Sequence, residues 1–380
     1  MIKTIELQNF KSHLHTQLNL DDSRLHALVG PNSSGKTSVL QAVHYLSQLA
    51  SYSFQKIFHT GHEPEYLVTI QQDNATVLVD GYWDKTIWQA SYHLRKMEAE
   101  TWRPIANWSI QKTKGANPQK GSEEGWSGSL ENAPYPLPHA LRQAVYLKLV
   151  AHNLAKAAYS DEVFPRIEYD GTGMAPTLDY LRNEEPKTFA ELQEMLRKVI
   201  PGMQEVNISR AKVPVMRQRS IEIDGKLITY DESREMAGQE VVLSMKSGER
   251  IPAHAISEGT VITLGLLTVI LHPRRPNLIL LDDVEQGLHP KAQRELVNVL
   301  KEVVAHKPNL QIVFSTHSPY IVDELSPTQV HVLNTTHSGY TIAKRLDEHP
   351  DAQWGMQTLT TGEFWDAEGE EWVVAGVAHE

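Results

Sequence analysis

The sequence predicts an α/β fold in which a parallel β-sheet is combined with an antiparallel β layer and an α-helical insertion. Near the amino terminus, a β-rich run at residues 26–29 leads through a turn at Gly30 into a helical pattern. Near the carboxyl end, short apolar runs at residues 278–281 and 312–314 are separated by a helical stretch that begins after Pro290, an alternation typical of a parallel βαβ unit. Strand-like runs between these two regions indicate the antiparallel layer.

The first third of the chain is predicted to hold strands and one amphipathic helix. Apolar residues between positions 2 and 20 recur at strand-like intervals. From position 38 to about position 50 they recur every three or four residues, which predicts a helix with one buried face. Strand-like runs at residues 66–70, 76–81 and 87–94 then predict the antiparallel β layer.

The middle of the chain is predicted to be a loop followed by helices. Residues 112–139 are rich in Gly, Pro, Ser, Asn and Lys without an apolar period, so we expect a mobile surface loop. Apolar spacing over residues 141–154 predicts a helix, and Thr188 with Glu191 forms a capping-box pattern ahead of another. Residues 139–205 are therefore predicted to be an all-helical insertion.

The last part of the chain is predicted to begin with β-hairpins. Alternating runs at residues 220–230 and 241–251 contain the turn signals Asp224-Gly225 and Ser247-Gly248. The most apolar run, residues 261–271, is about half the length needed to cross a bilayer. We expect it to be a buried helix.

Composition narrows the classes of function. The 380 residues include 36 basic and 47 acidic ones, so the net charge of −11 repels nucleic acid and anionic membranes, and DNA contact would need a local basic patch. The absence of cysteine excludes disulfides, Cys-ligated zinc, iron–sulfur clusters and thiol nucleophiles. The first twenty residues lack the apolar stretch of a secretory signal, and we expect a cytoplasmic protein with no membrane partner.

Residues 30–37 fit the phosphate-binding loop pattern GxxxxGK[ST] between a predicted strand and a predicted helix. In such a loop, backbone N–H groups point at phosphate oxygens. Lys36 would neutralise β- and γ-phosphate charge, the Thr37 hydroxyl would coordinate Mg²⁺, and Gly30 and Gly35 would allow close backbone approach. The pattern predicts a nucleotide site.

Two carboxylates and a histidine follow buried strands. Asp282 and Asp283 end the 278–281 run, where a Walker B aspartate and a catalytic carboxylate must sit. Asp282 is predicted to hold the Mg²⁺ shell and Asp283 to polarise the attacking water. If the next strand is a parallel neighbour, His317 should lie beside Asp283 and contact the γ-phosphate.

Four further segments complete a recognisable order of motifs: Asn9-Phe10-Lys11-Ser12, Ser257-Glu258-Gly259-Thr260, residues 282–290 and Thr316-His317-Ser318. In this order the chain resembles an ABC-type ATPase head of the SMC/RecF branch, a P-loop NTPase. It resembles above all the compact bacterial group related to the OLD ATPases, without a fused nuclease domain. The four segments match the opening strand motif, a degenerate signature motif, the Walker B and D-loop, and the switch.

The resemblance implies ATP and Mg²⁺ as cofactors and assigns roles to individual residues. The implied nucleotide-binding residues are Lys11, Gly30, Asn32, Ser33, Ser34, Gly35, Lys36, Thr37 and Ser38. The implied metal ligands are Thr37 and Asp282, and the implied catalytic residues are Asp283, His317 and Glu285. The signature residues Ser257, Glu258, Gly259 and Thr260 would bind the γ-phosphate held by the opposite protomer, so two heads would sandwich two ATP molecules.

The sequence departs from the family pattern at the Walker B motif. Position 283 is Asp where the family has Glu, so the side chain is one methylene shorter and its carboxylate lies further from the attacking water. Slow hydrolysis is one expected outcome. Glu285 offers a substitute carboxylate, although a D-loop or supporting position suits it better than the role of base. The Q-loop glutamine stays open among Gln71, Gln72 and Gln143.

The predicted organisation is a split head. Residues 1–111 would form its N-terminal part with the Walker A loop, residues 112–215 the flexible loop and helical insertion, and residues 216–380 its C-terminal part. The resemblance implies a nucleotide-driven switch, as the ATPase or sensor subunit of a bacterial antiviral system that controls a separate nuclease or toxin. A RecF-like repair ATPase and a nearly inactive nucleotide-binding scaffold are the alternatives.

Three weaker patterns are open to simpler interpretations. The basic stretch 209–219 suggests DNA contact, but a solvated or partner-docking face fits better because no aromatic platform interleaves it. The pairs His59/His62 and His13/His15 lack a third nearby metal ligand. The acidic residues after position 345 form no convincing nuclease metal site.

Overall fold

The structure is a computed structural model that describes residues 1–58, 63–98, 101–112, 117–200, 202–223, 226–274 and 276–375. Its contacts divide the chain into two units. Unit 1 comprises Met1–Tyr146, Pro276–Glu285 and Leu300–Glu380, and unit 2 comprises Leu147–Arg275 and Gln286–Val299. These units differ from the segments expected from sequence patterns because much of the expected insertion's first half pairs and packs within unit 1.

Unit 1 contains an antiparallel sheet, which confirms the predicted β layer. Its strands follow the order β2-β1-β4-β5-β6-β7. They are β1 (Ile2–Phe10), β2 (His13–Asn19), β4 (Asn74–Trp83), β5 (Thr86–Lys96), β6 (Trp102–Lys112) and β7 (Gln119–Glu124). Alternate side chains of β1, β4 and β5 are buried, so one face of the sheet supplies the core.

A second sheet has the order β15-β14-β3-β13-β12-β8 and contains the predicted parallel strands. They are β3 (Leu25–Val29), β8 (Ala144–Leu147), β12 (Leu278–Leu281), β13 (Gln311–Ser315), β14 (Val330–Thr335) and β15 (Thr341–Arg345). β12, β13, β3 and β14 are parallel neighbours in turn, so their carboxyl ends meet at one edge. This edge is where ligands bind in open α/β sheets.

Helix α1 (Lys36–Gln48) contacts strands of both sheets of unit 1 and buries Val39, Leu40, Val43 and Leu46 between them. The other helices of this unit are short. They are α2 (Phe54–Ile57), α3 (Leu137–Arg142), α9 (Pro319–Val322), α10 (Ala352–Gly355), α11 (Thr361–Glu368) and α12 (Glu371–Val374). Helix α8 (Pro290–His306) connects β12 to β13, which confirms the predicted βαβ unit.

Unit 2 combines helices with a long hairpin. The helices are α4 (Ala151–Leu154), α5 (Met174–Glu184), α6 (Pro186–Val199) and α7 (Glu258–Leu271). The strands are β9 (Met203–Ile223), β10 (Lys226–Met245) and β11 (Arg250–Pro252), in the order β11-β10-β9. Helix α7 is buried almost along its whole length, as predicted, and no helix in the described ranges is long and apolar enough to cross a bilayer.

Three predictions around the middle of the chain are wrong. Residues 112–139 are not a continuous loop, because β7 pairs with β6 as an exposed edge strand whose polar residues give no apolar period. The helix expected over residues 141–154 ends at Arg142, and β8 joins the edge of the parallel sheet. Residues 139–205 are therefore not all helical.

Two local signals were also misinterpreted. Helix α6 begins at Pro186 with Glu185 as its N-cap, so Thr188 lies inside the helix and the expected capping box does not form. Proline at the first helical position, whose missing N–H would have no partner there, defines this start instead. Residues 66–70 form only an isolated bridge between Val68 and Phe10 rather than a strand.

Two buried histidines, His26 of β3 and His331 of the neighbouring strand β14, predict that the protein loses stability in acid. Burial, with His26 and Arg345 nearby, lowers the pKa of His331 to about 3, whereas Asp21 acts in the opposite direction; burial also lowers the pKa of His26. The unfolded chain takes up these protons near pH 6.5, so stability is present above that pH and is lost as the pH falls towards the folded-state pKa. His331 alone should cost about 2 kcal/mol of the free energy of unfolding between pH 7.5 and pH 5.

Urea unfolding of the wild type and of His331→Leu at both pH values measures this contribution. The variant should lose about 2 kcal/mol less than the wild type on acidification. An equal loss in the two proteins would exclude His331 as a source of the acid sensitivity.

Candidate nucleotide-binding site

The loop between β3 and α1 has the backbone that close phosphate approach requires. Gly30 and Gly35 have φ angles of 137° and 92°, in the left-handed region that favours glycine. A Cβ on Gly30 would lie 2.0 Å from the carbonyl oxygen of Leu333 in β14. The loop therefore fits against the neighbouring strand only because this side chain is missing.

A cleft of about 220 Å³ opens over this loop in unit 1. Its lining consists of Ser12, Asn32, Ser33, Ser34, Gly35, Lys36, Thr37, Ser38, Asp283 and His317. The structure thus brings together most of the residues that the sequence suggested for phosphate binding and hydrolysis. Lys11 is not among the lining residues, and its ammonium donates to Gln41 Oε1 in α1.

Lys36 lies in the loop with its ammonium hydrogen-bonded to three neutral oxygens, the third being Ser34 Oγ at 3.4 Å. Its Nζ donates to the carbonyl oxygens of Gly30 at 2.9 Å and Pro31 at 2.7 Å, and the residue is 6% exposed. Burial lowers the pKa of Lys36, and the carboxylates of Asp283, Asp282 and Glu285 oppose that shift. The ammonium is thus the positive charge at the floor of a site surrounded by acids.

Thr37 and Asp282 form a set of oxygen donors at the edge of the loop. The Thr37 hydroxyl lies 3.0 Å from each carboxylate oxygen of Asp282, and Ser315 donates to Asp282 Oδ1 at 2.6 Å. Mg²⁺ prefers oxygen ligands, usually one or two protein groups with phosphate oxygens and water. The hydroxyl and carboxylate therefore suit a magnesium ion bound next to phosphate.

Asp283 and Glu285 have different surroundings. Asp283 adopts a φ of 54°, which Asp tolerates better than most residues, and its N–H donates to Ser315 Oγ at 2.8 Å. The carboxylate of Glu285 accepts the backbone N–H of His317 at 2.7 Å through Oε1. Within the described residues, its buried Oε2 has no hydrogen-bond partner. Asp283 thus faces the cleft, while Glu285 holds the histidine segment.

Ser315 and Ser12 are site residues to which sequence reasoning gave no role. Ser315 is fully buried and bridges the side chain of Asp282 to the backbone of Asp283, which fixes both at the end of β12. Ser315 directly precedes the switch segment in the sequence, and this position could have indicated that it belongs to the site. Ser12 lines the cleft from the turn between β1 and β2, where the opening strand motif ends.

The signature segment belongs to unit 2. Ser257 is the N-cap of α7, but its hydroxyl contacts that of Thr260 at 2.8 Å instead of a helix N–H. A Cβ on Gly259 would lie 2.6 Å from the carbonyl oxygen of Gly287. Glu258 begins the helix and is exposed. The segment therefore presents hydroxyls and the positive end of a 14-residue helix to solvent.

The histidine pairs form no metal site where the structure describes them. His13 contacts Thr16 and Gly35, His15 contacts Glu6, and His59 and His62 lie outside the described residues. A candidate trio in the described ranges is His349, Asp351 and Glu368. His349 Nδ1 accepts the Asp351 N–H at 3.1 Å, which puts the ring proton on Nε2, facing Glu368. These contacts are those of a histidine–carboxylate pair.

Residues 107–323, more than half of the chain, match the model of the family described as "AAA domain, putative AbiEii toxin, Type IV TA system". The chain belongs to this family. Residues 1–124, which contain the phosphate-binding loop, match the model of the AAA ATPase domain. Together these matches confirm the resemblance to SMC/RecF-like ABC ATPases and place this AAA family member among P-loop ATPases.

Two curated relatives are similar over part of the chain. The retron Vc95 probable ATPase of Vibrio cholerae serotype O1 biovar El Tor is 29% identical over 102 residues, which cover 24% of this chain and 19% of that protein. The Septu protein PtuA of Bacillus thuringiensis is 29% identical over 87 residues, 23% of this chain and 20% of that protein. The AAA family member therefore matches about a fifth of the length of these relatives.

The fold is similar to that of solved SMC heads. The crystal structure of the SMC head bound to the C-winged helix domain of ScpA has a TM-score of 0.52 and 12% identity, and the match covers 91% of this chain and 99% of that one. At this identity the likeness concerns the fold alone. It confirms the predicted ABC-type head.

Proposed function

We propose that this protein binds ATP with Mg²⁺, hydrolyses it, and pairs with a second copy around two ATP molecules as a nucleotide-dependent switch. Its role in the cell would be that of the ATPase or sensor subunit of a bacterial antiviral system, acting on a separate effector protein such as a nuclease or toxin. The observation that carries the nucleotide chemistry is the contact of Thr37 with Asp282 directly beside the buried ammonium of Lys36.

The binding step follows from the loop and helix α1. N–H groups of the first helical turn have no partner within the helix and point at the phosphates, and the helix dipole adds positive potential there. Lys36 neutralises charge between the β- and γ-phosphates. Thr37 and Asp282 would hold Mg²⁺, which neutralises the charge that develops on the phosphate oxygens during hydrolysis.

The hydrolytic step needs a base and a group that contacts the transferred phosphate. Asp283 faces the cleft and can accept a proton from the attacking water as the water oxygen bonds to the γ-phosphorus and the bond from that phosphorus to the departing ADP oxygen breaks. His317 lines the same cleft, and Glu285 fixes its backbone. We therefore assign Asp283 as the base, His317 as a γ-phosphate contact and Glu285 as a residue that positions His317.

The pathway proposal is supported by the names of the relatives, a retron ATPase and a Septu protein. The DNA-repair alternative has less support in the structure. The basic stretch 209–219 lies in β9, where Lys212 pairs with Glu235 of β10 at 3.1 Å and Arg217 is in register with Glu232. β9 carries four basic and two acidic residues and β10 two and four, so the two strands together have no net charge.

Steady-state turnover separates an ATPase from a nucleotide-binding scaffold. Purified wild-type protein should release phosphate from ATP in a Mg²⁺-dependent reaction, and EDTA should stop it. Asp282→Asn should raise the Mg²⁺ concentration needed for half-maximal turnover because the amide is a poorer Mg²⁺ ligand than the carboxylate. ATP binding without turnover would favour the scaffold.

Self-association tests the composite site. A non-hydrolysable ATP analogue should shift the wild type towards a dimer, because a ligand that binds the dimer better than the monomer shifts the population by mass action. Ser257→Arg should lower the dimerisation constant measured with the analogue at least about tenfold, because it places a bulky cation where the two protomers would meet. It should leave the ATP affinity of the single head nearly unchanged because the phosphate-binding loop is intact.

The matched control is Ser247→Arg, which adds the same side chain at an exposed turn of the same unit. Light scattering with and without the analogue, supported by crosslinking, should show a normal shift for this control. If Ser257→Arg dimerises as the wild type does, the signature segment is not part of the interface.

A further inference from the structure

A fully buried histidine lies directly beneath the phosphate-binding loop. His13, the first residue of β2, is 0% exposed, and its Nε2 lies 3.2 Å from the carbonyl oxygen of Gly35. Its Nδ1 lies 3.0 Å from the hydroxyl of Thr16. Neither ring nitrogen is available to a metal ion, so the histidine has another role.

The surroundings of His13 define its tautomer. Burial lowers its pKa to about 4, an effect that Lys11 reinforces and the Gly35 carbonyl opposes, so the ring is neutral at pH 7. A carbonyl oxygen only accepts hydrogen bonds, which puts the proton on Nε2. Nδ1 is then an acceptor, and the single proton of the Thr16 hydroxyl can go either to Nδ1 or to the carbonyl oxygen of Thr341, which lies 3.2 Å away.

Thr341 of β15 closes the other side of Gly35. Its hydroxyl lies 2.7 Å from that of Ser12, and its N–H donates to the Ser12 carbonyl oxygen at 2.7 Å. A Cβ on Gly35 would lie 2.6 Å from Thr341 Oγ1 and 2.7 Å from His13 Nε2. The loop therefore rests on two polar side chains with no spare room, although 22 and 306 residues separate them from Gly35 along the chain.

The Gly35 carbonyl belongs to the same peptide as the N–H of Lys36. In a trans peptide these two groups point in opposite directions, so fixing the oxygen fixes the direction of the N–H. Gly35 O also accepts the N–H of Val39 at 3.2 Å, the first hydrogen bond of α1. With the oxygen held from below by His13, the Lys36 N–H is directed upwards to the cleft where phosphate would bind.

We propose that His13 is a positioning residue for nucleotide binding: by donating from Nε2 to the Gly35 carbonyl oxygen, it orients the Lys36 N–H towards the phosphates of ATP. The inference rests on the proposed ATP site. It adds a residue from β2 to the groups that support the phosphate-binding loop.

The test compares two substitutions of similar size. His13→Leu removes the donor, whereas the side-chain amide of His13→Gln can place an N–H close to the position of Nε2. The dissociation constant for ATP, and KM where turnover is measurable, should rise roughly tenfold in His13→Leu with kcat nearly unchanged, because the lost hydrogen bond acts on bound nucleotide as a whole. His13→Gln should restore both values to within about threefold of the wild type.

A purely structural role predicts a different result. Loss of folded protein lowers kcat through the active fraction and leaves KM and the dissociation constant of the remaining protein unchanged. That result, or equal weakening by Leu and Gln, would overturn the proposal. If His13→Leu does not fold, His13→Met decides, because its flexible apolar side chain also removes the donor: a raised dissociation constant supports the role of His13 and an unchanged one overturns it.

Failure of the ATP site itself gives a separate result. If the wild type does not bind ATP, the proposed function is wrong and the His13 variants are not informative about any nucleotide. If the wild type binds ATP and His13→Leu binds it equally well, the ATP site stands and the positioning role is wrong.

Discussion

Replacing Lys36 with methionine is expected to abolish ATP turnover, with a loss of at least about a hundredfold, and to weaken ATP binding strongly. Methionine keeps most of the apolar stem and removes the ammonium. The Lys36 ammonium is the cation that the structure places at the floor of the cleft, and charge on the transferred phosphate would then develop without it.

The loss should be large because the site has acidic surroundings. The negative charges of Asp283, Asp282 and Glu285 all raise the pKa of Lys36. Without the ammonium, these carboxylates repel the anionic phosphates, so the substitution both removes an attraction and exposes a repulsion. The fold should survive, since the hydrogen bonds lost are those that Lys36 donates within the loop, to the carbonyl oxygens of Gly30 and Pro31 and to Ser34 Oγ.

Phosphate release and ATP titration of wild-type protein, Lys36→Met and Lys120→Met measure the effect. Lys120 is exposed in β7, so its substitution repeats the chemical change away from the cleft. Turnover of Lys36→Met within about threefold of the wild type would show that residues 30–37 are not the nucleotide loop.

The parts of the fold that could be predicted are those with local signals. The strand, loop and helix around residues 30–37 and the unit of β12, α8 and β13 follow from apolar periods and glycine positions within short segments. The buried strands also end in residues that we propose for the chemistry. Their carboxyl ends meet at one edge of the sheet, so the sequence alone suggested that Asp283 and His317 share a site.

The parts that could not be predicted lack an apolar period or depend on distant contacts. The hairpin of β9 and β10 runs over about twenty residues on each strand, whereas hairpin signals were limited to residues 220–230 and 241–251. From residue 207 to residue 220 of β9, no described side chain is buried, so the core imposes no apolar period there, and Pro214 interrupts the strand pattern. His13 contacts Gly35 only because β2, α1 and β15 meet in three dimensions, which no short pattern reveals.

Replacing Asp283 with asparagine is expected to lower ATP turnover about a hundredfold or more while ATP binding is retained, which would trap the ATP-bound pair. Asparagine keeps the shape of the side chain and removes the basic oxygen. It also tolerates the left-handed backbone at this position, where φ is 54°. A loss of turnover would therefore report the missing base rather than a rearranged loop.

The same backbone argues against simply restoring the glutamate of related families. The left-handed region is populated more readily by Asp and Asn than by longer side chains. Asp283→Glu would therefore extend the carboxylate by one methylene but strain the backbone at this position. We expect no gain in turnover from it. A clear gain would show that the length of the carboxylate, and not its backbone, limits hydrolysis.

Two matched variants assign the base. Asp84→Asn makes the same change at an exposed aspartate that also has a left-handed backbone, φ 53°, and should behave as the wild type. Glu285→Gln keeps the Oε1 acceptor for the His317 N–H, so its turnover should stay within about threefold of the wild type if Glu285 only positions that segment. The opposite pattern, with Glu285→Gln slow and Asp283→Asn nearly normal, would make the buried, unpartnered Oε2 of Glu285 the oxygen that accepts the proton.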